Sequence, residues 1–183
     1  LEEGDKEALK HLVKAAVVLD KVNMQLDNPT NLPFKEYLEA EISKGNKQAK
    51  LTKILFDAQK GVCSLDRESN MIELIKGVSE RPGKGVYPQD LEKDEFHAIL
   101  IKMLKDGKVD DVAKILNQRS VVERVGNELV AKDYVDKFKD DIAYMASELE
   151  KAAETSTNAD FNEFLILQAK ALRTADPMLD AYA

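Results

Sequence analysis

The 183-residue chain contains one cysteine, two histidines and no tryptophan. A lone Cys63 cannot close an internal disulfide and has no companion for a metal knuckle. The compartment is therefore weakly constrained: a reducing cytosol is the favoured setting, while an exported protein without disulfides meets the same composition. No apolar run approaches the ~20 residues of a membrane span, and no signal or transit segment is visible. Basic residues are not in excess, with 27 Lys and Arg against 34 Asp and Glu for a net charge of −7. The two signs are interleaved along the chain, which excludes the basic patch of a nucleic-acid surface. Repeats and low-complexity tracts are absent too.

What remains is 44% hydrophobic and 33% charged sequence, enough to build a core within one domain spanning 1–183. Apolar residues recur at spacings of three and four, so the expected fold is mainly α, a multi-helix orthogonal bundle. A first long helix is expected from about Asp5 to Leu26, with Leu9, Leu12, Val13, Ala16, Val17 and Met24 as its stripe. Asn28-Pro29-Thr30-Asn31 breaks it. Pro33 suits the start of a second helix, whose buried face is Phe34, Tyr37, Leu38 and Ile42. A third carries Ala49, Leu51, Ile54, Leu55 and Ala58 and closes at Gly61, and Asp66 caps a short helix through Ile75. Further helices follow around Phe96–Leu104 and Val112–Leu116. One small β-hairpin is expected near residues 120–131, where Gly126-Asn127 separates Val121–Val125 from Glu128–Ala131. Helices from Tyr134 to about Ala153 and from about Asn158 to Thr174 complete the chain, with Asn158 as the cap of the second.

Few of these residues suggest chemistry. His11 and His97 lack a second ligand at i+4, so both read as helix-surface or boundary side chains, and no metal ligand or catalytic residue is assigned. Cys63 reads as a structural thiol. Gly83-Lys84-Gly85 lacks the spacing of a phosphate-binding loop and reads as a connection that places Tyr87. Tyr87 has two readings: its hydroxyl reaches a bound peptide, or its ring anchors the loop on the core, which is favoured. The pairs Glu39/Glu41, Asp110/Asp111 and Asp140/Asp141 diverge on helix surfaces and read as solvated faces. Phe34, Phe56, Phe96, Tyr134, Phe138, Phe161 and Phe164 fall on helical stripes and read as core.

Four segments carry a resemblance in a common order. The loop Arg81-Pro-Gly-Lys-Gly-Val-Tyr-Pro-Gln-Asp90 runs into a helix, with Lys60-Gly61 and Leu65-Asp66 before it and Asp94-Glu95-Phe96 after it. Leu9 to Asp20 forms a long helix in which Ala15-Ala16 precedes an apolar–Asp step. Ser120–Val125, Leu129–Ala131 and Tyr134 make a hairpin leading into a helix, and Phe164 to Asp176 forms a closing helix. Together they resemble the N-terminal helical region of dipeptidyl peptidase III-like zinc metallopeptidases, which cleave dipeptides from peptide N-termini.

The resemblance implies a lobe that shapes a peptide cleft. The family's H-E-x-x-G-H and E-E-x-x-A-D motifs are both missing here, and Ala175-Asp176-Pro177-Met178 departs from the family's acidic ending. No cofactor is assigned to this chain; zinc is expected in a full-length parent. A start at Leu1 is what a processed chain or an excised segment gives, with the catalytic part following in sequence. The partners implied are that missing catalytic domain or a peptide substrate, with neither nucleic acid nor membrane. The alternative from another class is a stand-alone helical interaction protein that binds a peptide or a partner helix without catalysis.

Overall fold

The computed structural model describes residues 2–78 and 83–182. Arg81 and Pro82, which open the loop read above, lie outside the described residues. The order of elements is α1 (Glu3–Asp27), α2 (Asn31–Ser43), α3 (Lys47–Gln59), β1 (Cys63–Leu65), β2 (Met71–Glu73), α4 (Lys93–Lys105), α5 (Val109–Ile115), β3 (Ser120–Val125), β4 (Glu128–Asp133), α6 (Tyr134–Lys137), α7 (Lys139–Thr155), α8 (Ala159–Thr174) and α9 (Pro177–Tyr182). The chain is mainly α, as its periodicity requires. It divides into two compact units, one of residues 1–22 with 97–183 and the other of Asn23–Phe96.

In the first unit, α7 and α8 pack on each other, and the N-terminal part of α1 joins them through small side chains. Ala8, Ala152, Ala153 and Leu165 form a buried cluster, with Leu12 and Leu149 packed against it. Close approach is enforced at Gly4, where a Cβ would run into the backbone carbonyl of Thr155. The stripe expected on α1 is only partly the buried one. Ala8, Ala15 and Val22 face inward, whereas Leu9, Val13 and Val17 are exposed. At about 100° per residue, the arc that holds Ala8, Ala15 and Val22 excludes Val13 and Val17. The hairpin near 120–131 is present, with Val125 opposite Glu128 across the Gly126-Asn127 turn, and Gly126 takes φ 62° there. The expected helix from Tyr134 is broken at Phe138 into α6 and α7, and the Phe138 ring is buried. Asn158 caps α8, its side chain accepting from the Phe161 N–H at 3.0 Å.

In the second unit, Met24, Leu38, Ala49, Phe56 and Val62 are the core, with Phe34 and Ile42 packed against it. Asn31 sits at its centre with no exposure. Its amide nitrogen donates to the Met24 carbonyl at 3.1 Å, and its amide oxygen accepts from the Val62 N–H at 2.8 Å. A residue read as part of a helix breaker thus ties the end of α1 to the chain after α3. Gly61 lies against that amide, and the left-handed turn expected at Gly61 is taken by Lys60 instead, at φ 64°. The helix expected from Asp66 to Ile75 is a second hairpin, with Cys63 paired to Glu73 and Leu65 to Met71. The Asp66 carboxylate organises its loop rather than a helix start. It accepts from the N–H groups of Glu68 and Asn70, both at 2.8 Å, and from the Asn70 side chain at 3.1 Å.

Replacing Asn31 by Ala leaves a buried N–H and a buried carbonyl without their partner. The expected loss is about 2–4 kcal/mol, because each unpaired buried group carries its desolvation penalty. Urea unfolding of Asn31→Ala followed by circular dichroism measures it, and an unchanged midpoint would remove Asn31 from this role.

Candidate functional site

Tyr87 is positioned by the glycines before it. Gly83, at φ 88°, accepts through its carbonyl from the Val86 and Tyr87 N–H groups at 3.0 and 3.3 Å. A Cβ on Gly83 would meet the Tyr87 ring at 3.1 Å. The ring stands edge-on to Phe96, with centroids 5.4 Å apart and planes at 75°. Burial pushes the Tyr87 phenol above its ordinary pKa. Gly85 donates its N–H to the Leu26 carbonyl at 2.9 Å, and a Cβ there would collide with the Gln25 carbonyl. Lys84 pairs with Asp27 at 2.8 Å. The N–H groups of Gly85, Val86 and Tyr87 are therefore turned to the protein's own carbonyls, not to an external phosphate. The loop acts as a backbone dock, and the Tyr87 ring is its anchor.

The second arrangement of charged groups lies in the first unit. Glu148 is buried, with 3% of its side chain exposed. One carboxylate oxygen receives Lys151 Nζ at 2.7 Å; the other lies 2.7 Å from His11 Nδ1 and 3.7 Å from Lys14 Nζ. Glu7 approaches the far nitrogen of His11 at 4.0 Å. Lys151 first, and His11 next, hold the Glu148 carboxyl down to about 2. The arrangement stabilises a buried anion between α1 and α7, with the imidazole fixed through Nδ1. His11 is the boundary side chain that the sequence allowed, with 15% of it exposed, whereas Glu148 is passed over in that reading. A signal existed, since Glu148 stands three residues after Met145 and four before Ala152, within the apolar stripe of α7.

The remaining candidates are dispersed. His97 lies exposed on α4. Cys63 is half-buried in β1, with the Asn28 amide directed at its sulfur at 3.9 Å. Glu39 is exposed beside Lys53, Glu41 binds Lys44, and Asp141 binds Lys21 at 2.9 Å. Asp110 and Asp111 sit in the first turn of α5, where carboxylates offset the helix dipole. Among the described residues no three His, Cys, Asp or Glu side chains converge as a metal site. Phe161 and Phe164 depart from expectation: they stack with centroids 6.0 Å apart on the surface of α8 rather than in the core.

The fold matches two solved structures whose chains are about three times as long as this one. One is dipeptidyl peptidase III (DPP III) from Caldithrix abyssi, with a TM-score of 0.81 and 25% identity over 96% of this chain and 32% of that one. The chain is DPP III-like in fold. A second is dipeptidyl-peptidase III from Corallococcus sp. strain EGB, with a TM-score of 0.79 and 18% identity over 98% of this chain and 32% of that one. The chain spans about a third of the length of either DPP III structure. No protein-family profile and no curated protein matches it. The resemblance drawn from the four segments thus agrees with the fold.

Three outcomes follow from these geometries. Removing Glu148 as Glu148→Ala leaves His11 and Lys151 without their shared anion and is expected to destabilise the first unit by about 3 kcal/mol. The folded carboxyl titrates lower than an unfolded glutamate, whose value is 4.5. The stabilisation is therefore complete above about pH 4.5 and is lost as pH falls toward about 2. Urea midpoints of wild type and Glu148→Gln should converge over that window, and a pH-independent difference would contradict the ion pair. Gly85→Ala is expected to lose about 2 kcal/mol through its clash with the Gln25 backbone, read from thermal unfolding.

Proposed function

We propose that this chain is the N-terminal helical lobe of a DPP III-like zinc metallopeptidase, shaping the peptide cleft while the zinc site lies outside the chain. The observation that carries this reading is the match over 96% of the chain to a third of a DPP III structure. In this account the zinc, the glutamate base and the water belong to the remaining two-thirds. The lobe supplies shape: rigid helices, and the Tyr87 loop held to the end of α1 by the Gly85–Leu26 hydrogen bond. Tyr87 is the residue of this chain offered to the peptide. Its ring, edge-on to Phe96, anchors the loop, and its phenol hydroxyl is the group that this reading offers to the peptide.

Exposed apolar residues on α1, α3 and α8 also favour the reading of a helical interaction protein, because such faces mark contacts with another body. The two readings differ in what completes the fold. Alone, the 183-residue chain is expected to bind no stoichiometric zinc and to release no N-terminal dipeptides. Substituted for the matching third of the Caldithrix abyssi protein, it should give a folded, zinc-containing peptidase. Chelator-sensitive turnover by the chain alone would contradict the lobe assignment, as would a substituted protein that cannot fold, hold zinc and cleave.

A further inference from the structure

α1 and α8 carry apolar side chains that the first unit does not bury. Leu9, Val13 and Val17 recur at i, i+4 and i+8 on α1 with 49%, 54% and 64% exposure. Phe161 and Phe164 stack on α8 with 36% and 37% exposure. Between the helices lies a cavity of about 300 Å³, lined by Ala8, Leu9, Leu12 and Phe161, with Asp5, Ser156 and Asn158 at its polar side. Among the described residues, Asp5 meets hydrogen-bond donors there but no basic side chain. Its carboxylate accepts from the Thr157 N–H at 3.1 Å and from the Ser156 and Thr157 hydroxyls, both at 3.2 Å, which together hold its carboxyl below the usual range. Leu9 and Leu12 on one side, the Phe161 ring on the other and one carboxylate make a groove for an amphipathic helix with a basic residue at one end, and the exposed Val13, Val17 and Phe164 extend the apolar surface beyond it.

We infer that this α1–α8 groove is the surface on which an apolar helix of the catalytic two-thirds of a DPP III-like protein docks. The inference rests on the lobe reading above and adds the face and its chemistry. Two observations point to this occupant. The matching structures are about three times the length of this chain, so a large body remains to be placed against the matched third. Stacked phenylalanines half open to water are a poor end state for a lobe but suit an interface centre, where desolvated aromatics dominate binding. The short helix α9 packs on the same α8, with the Gln168 amide donating to Asp180 at 3.1 Å.

The test compares three forms of the Caldithrix abyssi protein whose matching third is replaced by this chain: unaltered, Leu9→Glu with Phe161→Glu, and Leu51→Glu with Leu55→Glu as the control on the exposed face of α3. In the isolated 183-residue chain, either pair should leave the unfolding temperature within about 2 °C, since all four side chains are already exposed. In the substituted protein, the groove pair should lower the temperature of half-inactivation by more than about 5 °C and the α3 pair should not. A groove pair without effect in a protein that still folds and releases dipeptides would overturn the groove and leave the lobe reading intact. An unaltered substituted protein that cannot assemble would overturn both. Light scattering on the isolated chain supplies the remaining outcome: a dimer abolished by the groove pair would make the occupant a second copy and overturn the assignment.

Discussion

A buried carboxylate decides which way α1 faces. Glu148 is held between Lys151 and His11, and an anion at that depth is tolerated only while both partners stay in place. Placing His11 against Glu148 turns Ala8, Ala15 and Val22 inward with it. Small alanines on α1 and α7, together with the bare Cα of Gly4, let the helices approach closely enough for the pair to form. The consequence is on the other side: with those positions inward, Leu9, Val13 and Val17 have nowhere to go but out. The polar constraint thus creates the apolar surface.

The second unit follows a similar logic with a neutral group. Asn31 is an amide in an apolar core, and it satisfies both ends of itself on backbone groups at Met24 and Val62. Gly61 is required beside it because a Cβ would fall 2.9 Å from the amide oxygen. The left-handed turn then passes to Lys60, an uncommon place for a lysine. The Gly83–Tyr87 loop shows the same economy, since Gly85 admits the Gln25 carbonyl and Gly83 admits the Tyr87 ring.

Much of this was legible in the residues. The hairpin around Gly126-Asn127 and the Asn158 cap follow from local rules, and local rules held there. Among the features that were not legible, three show how a distant partner decides the outcome. Asp66 carries the same short carboxylate whether it caps a helix or closes a hairpin loop, and the pairing of Cys63 with Glu73 selects the loop. Periodicity on α1 identifies apolar residues but not which arc is buried, and Glu148, 137 positions away from His11, settles that. Phe161 and Phe164 obey the spacing of core residues while lying on the surface, since spacing records what a helix face can bury and not whether its partner is in the same chain. Tyr87 was legible as an anchor because both glycines that hold it are adjacent in sequence.

On the proposed reading, this fold is one part of a larger peptidase. The most direct measurement is the mass of the native polypeptide carrying this sequence, and of whatever co-purifies with it, from cells that make it. The account predicts either a polypeptide about three times this length or a tight partner of the missing size, with stoichiometric zinc in the assembly. A 183-residue product found alone, monomeric and without zinc would contradict it.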